Sequence, residues 1–304
     1  MIRKVATTAL RSSVVSKLSG QLVNPSLRTL CFHTVDDQRA FDRQMAWLAR
    51  NFNPVTPGQI VKSLNEDIPL PNQAVWVTFD DGSPTVVDRG LPILGRYDIP
   101  ATMFICPGLI ESGASFWWDI ALAASGSQLL QAAGCDIGDG QAAVQKLKQM
   151  SDGERRRILA QLPDPGANTR RQLSVQDIHR WAEAGHTLGN HTWDHPCLDT
   201  ASEQEQLFQV ESAHAWLVHN VEPWTAVFAY PNGNWSQVIE PKLTELDYQL
   251  AVLHDHRMTR DDPALRMSRL HTDANDDLAR FRSVVSGTQP TLRSLASRLR
   301  TINV

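Results

Sequence analysis

Two carboxylates stand side by side in Thr78-Phe79-Asp80-Asp81-Gly82, directly after the apolar run Ala74-Val75-Trp76-Val77. Far downstream, His191-Thr192-Trp193-Asp194-His195-Pro196 sets two imidazoles four residues apart. That spacing would bring both rings to one face of a helical turn, where they can reach a single ion. One carboxylate can complete a facial set of two histidines and one acid, leaving positions open for water and substrate. The other stays free to take a proton. Adjacent like charges repel unless a cation screens one or a proton is shared, and a divalent ion would resolve that conflict. Taken singly, the acid pair can also be a turn ahead of Ser83-Pro84, and the histidines can be surface residues. Together they form the inventory of a metal-dependent hydrolase.

The elements around these motifs alternate. Leu27 to Phe32 reads as a strand ending at His33, and Phe41 to Phe52 has helical periodicity. A strand over Ala74 to Phe79 delivers the acid pair, followed by a helix from about Thr85 to Tyr97 and a strand at Ala101 to Ile105. Strand and helix in this rhythm indicate an α/β fold with parallel strands. The rhythm breaks at about 115–171, where glycines and a charged helix suggest a helical insertion. It returns at Ser174, an N-cap for the helix Val175 to Ala184, and the strand Thr187-Leu188-Gly189 then leads into the histidine motif. Later strands are expected at Ala226 to Ala229 and Gln249 to Leu253. The motifs follow strands, and in α/β barrels the loops at C-terminal strand ends carry the chemistry.

Further candidates sit at the same ends. Tyr230-Pro231-Asn232-Gly233 has turn composition, and a main-chain N–H there can donate to a developing oxyanion. Asn232 and Trp235 are placed to line a sugar-sized groove, and His33 to face substrate or to serve structure. Trp117-Trp118 is assigned to the core and His186 to a structural role.

A net charge of −4 offers no basic excess to neutralise phosphates, which argues against nucleic acid as a generic partner. Cys31, Cys106, Cys135 and Cys197 are scattered without a CxxC pair and read as thiols in a reducing compartment. Leu10, Val14, Leu18 and Leu22 repeat every four residues among Arg3, Lys4, Arg11 and Lys17. The segment 1–26 is therefore an amphipathic helix, suited either to peripheral contact with an anionic membrane or to covering one end of the domain. It lacks the continuous apolar stretch of a secretory signal, so the expected location is cytoplasmic, with a peripheral position at the inner membrane surface as a variant.

On these residues the chain resembles the polysaccharide deacetylase family, whose members carry the NodB homology domain. TFDDG at 78–82, HTWDHP at 191–196 and FAYPNG at 228–233 are similar to its first three motifs. The resemblance implies a distorted (β/α) barrel over 27–285 with the insertion at about 115–171, and a helical tail over 286–304. It implies Asp80 as base, a divalent ion (zinc is expected) on Asp81, His191 and His195, and the Tyr230 N–H as oxyanion donor. In many members the third motif opens with an arginine that orients the base, and here that position is Ala229. The late Leu-x-His motif, which supplies the general acid, has its nearest counterpart in Arg269-Leu270-His271. His271 is the expected acid, and Arg269 joins His33, Asn232 and Trp235 as a substrate contact. The implied activity is removal of N-acetyl groups from an amino-sugar glycan or its biosynthetic intermediate, free or carrier-linked. The alternatives are an inactive carbohydrate-binding barrel, and hydrolysis of a non-sugar amide or an O-acetyl ester at the same site.

Overall fold

The structure is a computed structural model and describes residues 27–66, 68–166, 171–222, 224–258 and 262–288. The amphipathic segment 1–26 and most of the expected tail 286–304 lie outside the described residues.

One parallel sheet organises the chain. Its strands are β1 (Leu27–Phe32), β2 (Asn53–Pro54), β3 (Ala74–Phe79), β4 (Ala101–Ile105), β5 (Thr187–Asn190), β6 (Val227–Ala229), β7 (Leu250–Val252) and β8 (Leu270–His271). They run in the order β7-β6-β5-β4-β3-β1-β8, with the short β2 pairing β3 off this path. Beyond the two end strands, Val252 bridges Met267 in parallel, and the Leu253 N–H donates to Met267 O at 2.8 Å. The sheet therefore curls until β7 meets the approach to β8, giving a distorted barrel. Helices cover its outside, so β3 is buried at all six positions and is apolar at all of them but Thr78.

Local sequence sets where the covering helices start. α1 (Gln38–Asn51) begins at Asp37, whose carboxylate accepts from the Arg39 and Ala40 N–H groups, and it buries Phe41, Met45 and Leu48. α2 (Pro57–Asn65) starts with a capping box, Thr56 with Gln59, and Pro57 at its first position. α3 (Leu91–Arg96) follows β3 through a π-helical turn over Val86–Gly90. α9 (Val175–Glu183) is capped by Ser174 and Asp177, and α10 (Glu203–Asn220) by Ser202. α11 (Ile239–Glu245) and α12 (Leu278–Val285) complete the outer layer. Against this layer Phe32, Phe41 and Phe79 pack with ring centroids 5.4–6.1 Å apart.

Between β4 and α9 the chain leaves the barrel. α4 (Pro107–Ser112), α5 (Trp117–Ala123), α6 (Gly126–Ala133), α7 (Gly140–Gln149) and α8 (Asp152–Leu159) follow one another. The last four build a small core of their own from Leu129, Val144, Leu147 and Ile158, with Trp117.

β5 delivers the first histidine of the downstream motif, and its fit depends on Gly189. A β-carbon there would come within 2.6 Å of both Cδ1 and Cε1 of the Phe104 ring of β4. Overpacking of this kind costs about 1–3 kcal/mol. Gly189→Ala should lower the urea midpoint accordingly, whereas Gly95→Ala, with nothing within 4 Å of the new methyl, should not. Equal midpoints for the two variants would show that the strands separate without cost.

His186 holds β5 from its other end. Its Nδ1 accepts the Ala101 N–H at 3.2 Å, and burial lowers its pKa from 6.5 to about 4. The unfolded chain thus binds this proton first as pH falls, so the contribution is complete above about pH 6.5 and is lost on descent towards 4. His186→Gln should remove that part of the pH dependence of urea stability. Parallel pH curves for parent and variant would contradict it.

Candidate active site

The motif residues meet at the C-terminal mouth of the barrel, in a cavity of ≈ 370 Å³ lined by His33, Asp80, Asp81, His191, His195 and His254, with a second wall from the insertion. β3 places the acid pair. Alternation along a strand would aim neighbouring side chains to opposite faces, but Asp81 has φ 68°, a left-handed conformation uncommon outside glycine. That single turn of backbone lets both carboxylates look into one cleft. Gly82 follows at φ 65°, packed against Leu173 and Ile105.

The two histidines converge by a route other than the expected helical turn. Residues 191–197 form an irregular loop with Thr192 at φ 70° and His195 at φ 61°. Its N–H groups are taken by side chains instead of helical carbonyls: Thr192 donates to Asn190 Oδ1, Trp193 and Asp194 to Gln209 Oε1, and His195 to Thr192 Oγ1. The rings end 4.8 Å apart. His191 Nε2 lies 3.6 Å and His195 Nε2 3.5 Å from the same oxygen, Asp81 Oδ1.

This arrangement fits a cation. His191 Nδ1 is 2.8 Å from the Ala229 carbonyl, which can only accept, so Nδ1 carries the proton and Nε2 points a lone pair at Asp81. A lone pair facing a carboxylate oxygen needs a positive charge between them. The field agrees: burial works to lower the His191 pKa, but Asp80 and Asp81 outweigh it and raise it. His195 goes the other way, lowered to about 3 by burial and then by His191, so the cleft does not take two imidazolium charges. One donor atom each from Asp81, His191 and His195 falls within 4.8 Å of the others.

Asp80 is held on its far side. Arg269, fully buried, donates from Nη1 to Oδ1 and from Nη2 to Oδ2, both at 2.6 Å. Burial alone would raise the Asp80 pKa, but Arg269, followed by His191, holds it well below the usual carboxylate range. Arg269 is in turn fixed by the Leu253 carbonyl at 2.6 Å and Thr78 Oγ1 at 3.0 Å. The guanidinium that the resemblance expects at position 229 thus arrives from the approach to β8. The structure corrects the expectation that Arg269 contacts substrate, because its fork is spent behind the base.

Other expected residues separate. The Tyr230 N–H cannot serve as an oxyanion donor in this structure, since it donates to the Val252 carbonyl at 3.0 Å and extends the β6–β7 ladder by one residue. Trp235 is not part of the cavity wall; its Nε1 donates to Glu240 and Arg266 lies over its ring. Asn232 does line the cavity, at φ 56°, with its Oδ1 accepting from Lys148 at 2.6 Å. His33 lines it too, whereas His271 stands behind His254, stacked on it at 5.0 Å, and is not part of the lining. Trp117 and Trp118 divide: the first packs in the insertion core, and the second faces the cavity with its ring 4.6 Å from His195.

Sequence reasoning missed His254, two residues beyond β7, although a search of every strand end for titratable groups would have found it. It also missed Gln141, Gln145 and Lys148 of α7, which wall the cavity from the insertion and carry no motif.

The Asp80–Arg269 pair should show as strong coupling. Arg269→Met leaves a buried carboxylate without its partner, a loss typically worth about 3–5 kcal/mol. Asp80→Asn combined with Arg269→Met should then cost less than the two singles added. A double-mutant cycle in urea returning a coupling below about 1 kcal/mol would mean that the pair does not act as a unit.

A sequence model described as polysaccharide deacetylase matches residues 67–251. A poly-beta-1,6-N-acetyl-D-glucosamine N-deacetylase of Staphylococcus epidermidis is 36% identical over 81 residues, 26% of this chain and 27% of that protein. Its namesake in Escherichia coli (strain K12) is 36% identical over 84 residues, 24% of this chain and 12% of that protein. The matched stretch thus spans about a quarter or less of these relatives. Among solved structures, Streptococcus pyogenes deacetylase PplD in complex with acetate aligns with a TM-score of 0.61 at 17% identity, covering 86% of this chain and 98% of that one. IcaB from Ammonifex degensii aligns at 0.59 and 19%, covering 87% and 97%. At such identities the two structures establish the fold.

Proposed function

The chain belongs to the polysaccharide deacetylase family, and from that premise we propose that it hydrolyses the N-acetyl groups of an N-acetylglucosamine-type glycan. The observation that carries this reading is the convergence of Asp81, His191 and His195 beside a separately clamped carboxylate, Asp80. The names of the relatives supply the sugar class.

Asp81, His191 and His195 would hold a divalent ion, and two imidazoles with one carboxylate suit zinc. Such an ion acidifies water and polarises a carbonyl oxygen. Asp80 faces the same cleft, kept ionised by Arg269, and takes the proton of the attacking water. Its clamp fixes the carboxylate plane, so the lone pair is aimed before substrate arrives. The departing amine then needs a proton. His33 and His254 face the cavity close to Asp80, with one donor atom from each within 4.8 Å of a carboxylate oxygen. Burial, then Arg269 and His33, lower the His254 pKa to about 3. It therefore rests neutral and passes a proton on instead of storing one. His271 sits behind it. Trp118 offers aromatic surface to the sugar, and Asn232 with Lys148 a polar edge.

Acetate release from an N-acetylglucosamine oligomer tests the reading. Chelation should abolish it and added zinc restore it. His195→Ala and Asp81→Asn should lose metal, whereas Asp80→Asn should keep metal and lose about 100- to 10,000-fold in rate. His254→Gln should slow turnover more than His271→Gln. Equal metal loss in Asp80→Asn and Asp81→Asn would end the division of roles. Release from O-acetyl esters alone would move the substrate class to esters.

A further inference from the structure

Among the described residues that line the catalytic cavity, Lys148 is the only lysine or arginine, and Asp80 and Asp81 are the only acids. Lys148 is half-buried near the C-terminal end of α7, and its ammonium donates to Asn232 Oδ1 at 2.6 Å. Asn232 is itself fixed, because its Nδ2 donates to Cys197 Sγ at 3.7 Å and leaves its oxygen to the lysine. The lysine is thus held between the insertion wall and the turn that follows β6. An ammonium has three N–H donors and no acceptor, so two donors remain for a ligand.

No carboxylate among the described residues pairs with this ammonium. Lys242 shows the usual arrangement, with Glu211 at 2.9 Å and Glu245 at 2.8 Å. The acids of the cavity are answered elsewhere: Asp80 by Arg269, and Asp81 by the ion it would share with His191 and His195. A divalent ion against one carboxylate leaves a further positive charge, so the cavity is cationic before substrate enters. Gln141 and Gln145 line it from the same face of α7, seven and three residues before Lys148. Their amides add N–H donors, and no acid stands among them. The wall is a strip of donors around one uncompensated cation.

A neutral acetamido sugar would leave that charge unanswered, and its deacetylation would add an ammonium to the same cavity. A substrate that brings its own anion answers both. We propose that Lys148 selects for an anionic group, a carboxylate or a phosphate, borne by the acetamido sugar or by the unit linked to it. The ammonium serves either group as a point charge. The amides of Gln141 and Gln145 can donate to its remaining oxygens.

The inference rests on the proposed N-deacetylation, so turnover and binding are read separately. Three soluble compounds serve: N-acetylglucosamine joined to a second N-acetylglucosamine, joined to glucuronic acid, or carrying a 1-phosphate. The parent should show the lower KM for the two acidic compounds, and added salt should raise it. Lys148→Met should raise those two KM values about tenfold more than the neutral one, and Lys148→Arg should keep most of the preference. A preference confined to the phosphate keeps the proposal and assigns the charge to a carrier linkage. One confined to the carboxylate keeps it and assigns the charge to an acidic glycan. Equal KM values in the parent, or an equal shift of all three in Lys148→Met, would overturn it. If none of the three releases acetate, the proposed reaction fails, and calorimetric binding of the same compounds decides the inference alone. Tighter binding of the acidic compounds that disappears in Lys148→Met supports it, and equal binding overturns it.

Discussion

Everything at the mouth of this barrel answers one electrostatic problem: two carboxylates at consecutive positions, both buried, both facing one cleft. Asp80 and Asp81 are 2% and 9% exposed, too dry for water to screen their repulsion. The fold answers each in a different way. Arg269 closes on Asp80 with a two-pronged contact, and two imidazole nitrogens converge on one oxygen of Asp81, a donor set that suits a cation. The division of labour between base and ligand follows from which neighbour each acid has.

The backbone bears the cost of this convergence. Asp81, Thr192, His195 and Asn232 all sit at positive φ without being glycine. Each such residue costs of order 1 kcal/mol or more and persists only where the surroundings fix it. Here the surroundings are identifiable: Asn190, itself held by Val210 and the Tyr248 hydroxyl, receives the Thr192 N–H, and Gln209 of α10 receives two more. Polar residues of β5 and α10, buried under the loop, thus act as its scaffold.

Much of this was legible in the sequence because barrel strands announce themselves. The apolar run Ala74-Val75-Trp76-Val77 before the acid pair, and strand runs before His191 and Tyr230, placed the motifs at strand ends without reference to any contact. Legibility failed where long-range geometry decides. The His191–His195 spacing suits a helix, but side-chain acceptors from distant α10 captured the loop's N–H groups. The Tyr230 N–H looked free in a turn, but its partner, Val252, lies on the next strand. Arg269 looked like a groove residue because nothing local reveals that a chain 189 positions from Asp80 will return behind it.

The insertion changes what kind of mouth this is. A bare barrel would offer the strand-end residues on an open rim. Here α5 and α7 raise a wall carrying Trp118, Gln141, Gln145 and Lys148, and Lys148 reaches across to Asn232 at the end of β6. The wall is tied down by Arg156 of α8, which pairs with Asp194 of the histidine loop at 2.8 Å and with Glu205 of α10 at 3.0 Å. These pairs are partly exposed and individually weak, yet they join the insertion directly to the loop that presents His195. The contact falls on Asp194, the residue directly before His195, whose side chain lines the cavities on both the barrel side and the insertion side.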